Sequence, residues 1–240
     1  MMAEWYERWF GEDYLALYPH RDQRDAAAAV ALLERELAAK EPGLVLDLAC
    51  GSGRHTRLLR TLGWSVGLDL SPVLLRLARA NDPDGPYVRA DMRVLPFAHD
   101  TFSLITNLFT SFGYFASDEE HATVLAEVRR VLREGGVFVL DYLNAPHVRS
   151  TLVPIDQREV NGSVVEQRRS ITPDGRFVVK KITSRSDGRS FVERVRLFEA
   201  EDLRTMLEAA GLETIAVFGD YDGAPMALDS PRAILFAERR

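Results

Sequence analysis

The octapeptide Asp47-Leu48-Ala49-Cys50-Gly51-Ser52-Gly53-Arg54 sets an acid and two alternating glycines between the apolar run Leu44-Val45-Leu46 and a helix-like stretch. Glycines at such a turn let the backbone pass close to a ligand with no Cβ in the way, and the helix N-terminus beyond them favours negative charge. Strand, glycine loop and helix start together make a cradle for a nucleotide-like ligand. About twenty residues further on, Ser65-Val66-Gly67-Leu68-Asp69-Leu70-Ser71 reads as a second short strand ending in an acid. In a βαβ unit this puts the Asp69 carboxylate at the carboxyl end of the neighbouring strand, where it can accept hydrogen bonds from ribose hydroxyls. A nicotinamide dinucleotide would meet the same description, but its glycine pattern started at Gly51 has Thr56 where the third glycine belongs.

The run resembles motif I of the class I S-adenosylmethionine-dependent methyltransferases, with Ala49 standing in for the first glycine. The likeness continues at Asp69, at Ala90-Asp91-Met92 after a third strand, and at Asn107-Leu108-Phe109-Thr110-Ser111-Phe112-Gly113-Tyr114 after a fourth. It implies an α/β fold with a doubly wound, mostly parallel, seven-stranded sheet and S-adenosyl-L-methionine as cofactor. Asp47 then orders the loop and faces the methionyl amine directly or through water, or else caps the loop without touching ligand. Ala49, Gly51 and Gly53 bring backbone to the cofactor. Asp69 takes the ribose; the alternative job of helix N-cap suits Ser71 before Pro72 better. Asp91 resembles the acid at the adenine edge, with an ordinary turn aspartate as the alternative. Leu70 and Met92 sandwich the adenine or belong to the core. Asn107 and Leu108 line the methyl end.

Methyl transfer from a sulfonium is an in-line displacement, so the protein's task is to position the nucleophile and, where needed, remove its proton. No metal is required. The Asn/Asp-Pro-Pro-Tyr run of nucleobase amino methyltransferases is missing, as is the Pro-Cys nucleophile of cytosine C5 enzymes. The stretches 90–93 and 109–114, with an antiparallel insertion after the fifth strand, look like the small-molecule N-methyltransferases, particularly the sugar N,N-dimethyltransferases and the glycine/sarcosine type. The expected reaction is methylation of a small-molecule amine or hydroxyl. Tyr14, Tyr18 and Asp141 are the candidates for a group beside the acceptor, and Tyr114, Tyr142 and Tyr221 are further phenols. Two other readings stand: a cofactor-binding partner or sensor that modifies nothing, and an NAD-dependent oxidoreductase.

Positioning these residues requires alternating strands and helices. The periodicity predicts a helix over 22–39, a strand at 44–48, a helix over 54–62, a strand at 65–69, a helix over 72–80 and strands at 86–89 and 102–107. A helix over 118–133 follows, opened by Ser117 with Glu120 and stopped by Gly135-Gly136, then a strand at 136–142. Between 150 and 198 the texture turns period-two, over 163–170, 176–185 and 190–198, with turns at Pro173-Asp174-Gly175 and Asp187-Gly188. This predicts an antiparallel β insertion covering the active site. A helix over 199–210 and strands at 213–218 and 233–237 complete a single methyltransferase domain over 1–240. Residues 1–40 form an N-terminal lid and covering helix; Trp5 and Trp9 anchor the lid, and His20 and Arg21 are candidates for binding a carboxylate. His55, just past the loop, reads as a solvent-facing first-turn residue.

Composition narrows the partners. The chain has 240 residues, 46% of them hydrophobic, and a net charge of −6, which disfavours phosphate-neutralising surfaces and hence nucleic acid. The single cysteine, Cys50, permits neither an intramolecular disulfide nor a cysteine-based zinc site. The N-terminus lacks signal-peptide character and no apolar run reaches membrane-spanning length, so a cytoplasmic protein without membrane contact is expected. Edge strands in the insertion raise the expectation of a homodimer.

Overall fold

The computed structural model describes residues 4–17, 23–41, 43–160, 162–185 and 188–240, so Tyr18, His20, Arg21 and Asp187 lie outside the described residues. Short helices α1 (Trp5–Trp9) and α2 (Glu12–Leu17) precede α3 (Gln23–Glu36) and strand β1 (Gly43–Leu48). Then come α4 (Arg54–Leu58), β2 (Gly63–Asp69), α5 (Pro72–Asn81), β3 (Tyr87–Arg89), β4 (Phe102–Asn107), α6 (Asp118–Val131) and β5 (Leu132–Leu143). After α7 (Ala145–Thr151) the chain makes β6 (Ile155–Val160), β7 (Ser163–Ile171), β8 (Phe177–Ser184) and β9 (Ser190–Arg196). It closes with α8 (Ala200–Ala209), β10 (Leu212–Phe218) and β11 (Arg232–Arg239).

The main sheet has seven strands in the order β10-β11-β5-β4-β1-β2-β3. All pairings are parallel except those of β11, which runs antiparallel to both neighbours. Strand order reverses between β1 and β4, and a crevice opens there beyond the carboxyl ends, where doubly wound sheets bind ligands. Both faces are covered. Val45, Leu104, Val139 and Phe236 pack with Leu32 and Leu33 of α3, while Leu46, Leu48, Ile105 and Phe138 pack with α6 and α8 through Val124, Leu125, Val128 and Leu207. Double-sided burial explains the runs of consecutive buried positions, 45–48 in β1 and 104–107 in β4.

Several boundaries move. The expected helix 118–133 starts as read, with Ser117 and Glu120 forming a capping box, but it ends at Val131. Leu132 is already extended and pairs with Phe102, and the register with β4 then shifts before Val137. Gly135, at φ 67°, therefore serves a bulge inside a strand and not a helix stop. The helix expected over 54–62 breaks after Leu58 into a 3-10 turn, Leu59–Thr61. Helix α7 and strand β6 carried too little periodicity to be read.

Strands β6 to β9 form a separate antiparallel meander. Its apolar residues Val165, Ile182 and Phe191 pack against Trp9 and Tyr14 from the N-terminal helices. The meander thus backs the N-terminal segment. Among the described residues, no helix is long and apolar enough to cross a membrane.

Candidate functional site

The glycine loop leaves β1 through three left-handed residues, Ala49 (φ 62°), Gly51 (φ 57°) and Gly53 (φ 74°). Gly53 has a second constraint, since a Cβ there would stand 2.4 Å from the Tyr87 hydroxyl oxygen. Beneath the loop Asp47 is buried; Thr56 Oγ1 donates to its Oδ2 at 2.6 Å and Thr106 Oγ1 to its Oδ1 at 3.4 Å. Burial pushes its carboxyl up to about 6, against the pull of those two hydroxyls. Thr56 sits where a dinucleotide loop would have its third glycine, and here that position supplies a donor to the acid.

Asp69 ties the two loops together. Its Oδ2 accepts the Gly51 N–H and its Oδ1 the Ser71 N–H, each at 2.8 Å. Burial raises its carboxyl, partly offset by these backbone donors. Ser71 caps α5, its Oγ accepting Leu74 N–H at 3.2 Å, which leaves Asp69 free of capping duty.

Over this junction lies a cavity of about 460 Å³, within the range of small-molecule sites. Ala49, Gly51, Asp69, Leu70, Asp91 and Met92 line it, and Tyr14 reaches it from α2. Asp91 is clamped by Arg93, whose Nη2 donates to Oδ2 at 2.7 Å and whose backbone N–H donates to Oδ1 at 2.8 Å. Burial works against the charge of Asp91, but these bonds prevail and hold its carboxyl below the usual range.

Asp47, Gly53, Asn107, Leu108, Asp141, Tyr142 and Tyr221, all read from the sequence, stand away from the lining. Asp47 lies under the loop, and Gly53 packs on Tyr87. Asn107 Nδ2 donates to Leu48 O at 3.1 Å, stitching β4 to β1, and Leu108 belongs to the α3-side core. Asp141 is fully buried; it accepts from Phe109 N at 2.7 Å and from Tyr221 Oη at 2.8 Å and is ion-paired with Arg232. With its oxygens so occupied it shapes the loop after β4. His55, expected in solvent, is buried, and burial first, then Arg54 and Arg232, push its imidazole down to about 3.

The sequence reading gave no individual site role to Tyr6, Glu7, Arg8 and Phe10 of the expected lid or to Ser111 and Phe115 after β4, all of which line the cavity. The aromatic density of residues 5–18 was the available signal. Trp5 and Trp9 anchor that segment, donating from Nε1 to Tyr114 O at 3.3 Å and to Glu193 Oε1 at 2.7 Å. Among the described residues, no group of three or more His, Cys, Asp or Glu is placed to hold a metal ion.

The chain is similar to known proteins in both sequence and fold. Residues 45–136 match the family described as a methyltransferase domain. A dTDP-3-amino-3,6-dideoxy-alpha-D-glucopyranose N,N-dimethyltransferase of Streptomyces fradiae is 30% identical over 232 residues, covering 93% of this chain and 87% of the relative. A solved S-adenosylmethionine-bound amino pentose methyltransferase from Micromonospora echinaspora superposes with a TM-score of 0.71 at 27% identity, over 95% of this chain and 97% of that one. An S-adenosylmethionine-dependent methyltransferase from Clostridium acetobutylicum shares the fold at a TM-score of 0.81 and 19% identity, over 95% and 98% of the two chains. The chain belongs to the S-adenosylmethionine-dependent methyltransferases. Its cofactor is S-adenosylmethionine, and the dinucleotide alternative falls away.

Proposed function

We propose that this enzyme methylates the amine of a small-molecule acceptor of the amino-sugar type. The observation that carries this reading is the extent of the likeness. The methyltransferase-domain match stops at residue 136, whereas the N,N-dimethyltransferase of Streptomyces fradiae aligns over 93% of the chain. The alignment therefore extends well beyond the cofactor domain into the parts that distinguish one methyltransferase from another.

S-adenosylmethionine, when bound, supplies an electrophilic methyl group on a sulfonium; this chain's residues bind it and orient the acceptor. In this reading Asp69 accepts from the ribose hydroxyls with the lone pairs that Gly51 and Ser71 leave free. Asp91 faces the adenine amine, and Leu70 and Met92 flank the ring. The left-handed turn at Ala49 and Gly51 brings main chain to the methionyl end. Phe10, Tyr14 and Tyr114 line the cavity, and aromatic rings attract cationic groups at short range. An amine acceptor attacks as the free base, so a correctly placed acceptor needs no strong base on the protein.

The test is to incubate the purified enzyme with S-adenosylmethionine and a panel of nucleotide-linked amino sugars, each beside its hydroxyl counterpart, and to follow product mass. Gain of one or two methyl groups on the amines alone supports the proposal. Methylation confined to the hydroxyl compounds overturns it.

A further inference from the structure

Among the described residues, the meander formed by β6 to β9 contributes no lining residue to the cavity, while the N-terminal segment packed against it contributes five. The link between them is narrow. Trp9 lies between Arg8 and Phe10, both of which line the cavity, and is only 1% exposed. Its Nε1 donates to Glu193 Oε1 at 2.7 Å, and its ring packs on Phe191 with centroids 4.8 Å apart. On its other side it meets Tyr14 edge-on at 5.6 Å, and Tyr14 lines the cavity. Glu193 is held in turn from the next strand: Lys180 is its register partner and places Nζ 3.3 Å from Oε2. An indole N–H on a shielded carboxylate is a charge-assisted bond, stronger and more directional than a neutral one.

We propose that Glu193 is a positioning residue for the cofactor site. The meander grips Trp9 through it, and Trp9 sets where Phe10 and Tyr14 stand over the cofactor. The insertion then governs how long the cofactor stays bound without touching it. This rests on the cofactor occupying the cavity and is independent of which acceptor is methylated.

The experiment measures S-adenosylhomocysteine affinity by calorimetry and its dissociation rate by stopped flow. The proteins are the wild type, Trp9→Phe, Glu193→Gln, the double variant and Asp69→Ala. Phenylalanine removes the indole donor together with part of the buried ring, and glutamine keeps the size and an acceptor of Glu193 but drops the charge, so it isolates the charge from packing. Trp9→Phe should raise the dissociation rate about tenfold, the scale of one hydrogen bond to a charged group. Glu193→Gln should raise it less, and the double variant should be no faster than Trp9→Phe, since once the indole donor is gone the charge on its acceptor no longer matters to that bond. Arg168→Ala, on an exposed part of the meander away from Trp9, should leave the rate unchanged. Unaltered dissociation in both single variants, or strictly additive effects, overturns the proposal. Wild-type affinity in Asp69→Ala would instead show that the cofactor site itself is misassigned, and the proposal would fall with it.

Discussion

The loop after β1 and the loop after β4 leave the sheet side by side at the switch point, and both need left-handed backbone. The first obtains it from Gly51 and Gly53 with Ala49, so the conformation is nearly intrinsic. The second places two consecutive non-glycine residues there, Phe109 at φ 62° and Thr110 at φ 60°, a costly arrangement for a β-branched residue. Each loop sits on a buried aspartate. Asp47 accepts from two threonine hydroxyls, whereas Asp141 has an ion-paired cation, a phenol and the Phe109 N–H, and its carbonyl accepts the Thr110 N–H at 3.0 Å. The Phe109 ring also lies under Arg54, with the guanidinium carbon 4.5 Å from its centroid. Where main chain must approach a ligand, permissive residues suffice. Where a loop must present side chains such as Ser111 and Tyr114, a charge cluster imposes the shape.

Asp141→Ala should give the largest effect that tests this contrast. It leaves the Arg232 guanidinium buried without its carboxylate and two donors unmet, a loss of roughly 3–5 kcal/mol measurable by urea unfolding. A loss below about 1 kcal/mol would show that the loop after β4 holds its shape unaided.

Asp47→Asn should act in the opposite direction. The folded carboxyl titrates near 6 against an ordinary 3.8, so the native state binds the extra proton between those values. The stability it contributes is complete below the ordinary value and is lost as pH rises through about 6. The variant should therefore match the wild type near pH 4 and exceed it by up to about 3 kcal/mol at neutral pH, read from thermal midpoints across pH. A difference that does not vary with pH would remove the buried-acid account of the first loop.

Gly53→Ala combines the left-handed penalty with a clash against Tyr87 and should destabilise by about 2 kcal/mol in the same unfolding assay. The smallest change belongs to Ala49→Gly, which relieves one strained residue and should be neutral or stabilising by under about 1 kcal/mol. Calorimetry should find cofactor affinity unchanged in Ala49→Gly.

Much of the first half of the site could be read directly, because its determinants are local. Asp69, Leu70, Asp91 and Met92 follow strands whose ends are marked by short-range pattern, and all four line the cavity. Asn107 and Leu108 follow a strand equally well marked, yet their side chains turn to β1 and to the α3-side core. Strand position says which end of the sheet a residue occupies and does not say which way its side chain points once the loop beyond takes a left-handed turn. Asp141 looked like an acid near the chemistry because its partners, Tyr221 and Arg232, are some eighty and ninety residues away.

The sequence by itself determined the succession of the seven main-sheet strands along the chain, the glycine loop and the acids Asp47, Asp69 and Asp91 at or just past the ends of β1, β2 and β3, since each depends on spacing within a few residues. Only the tertiary structure decided which side chains of the expected N-terminal lid line the cavity, that the meander packs on that lid at Trp9 and Glu193, and that Asp141 serves a loop. Those outcomes depend on contacts between distant segments, whose energies arise from burial and charge pairing after the chain has folded and leave no periodic trace along it.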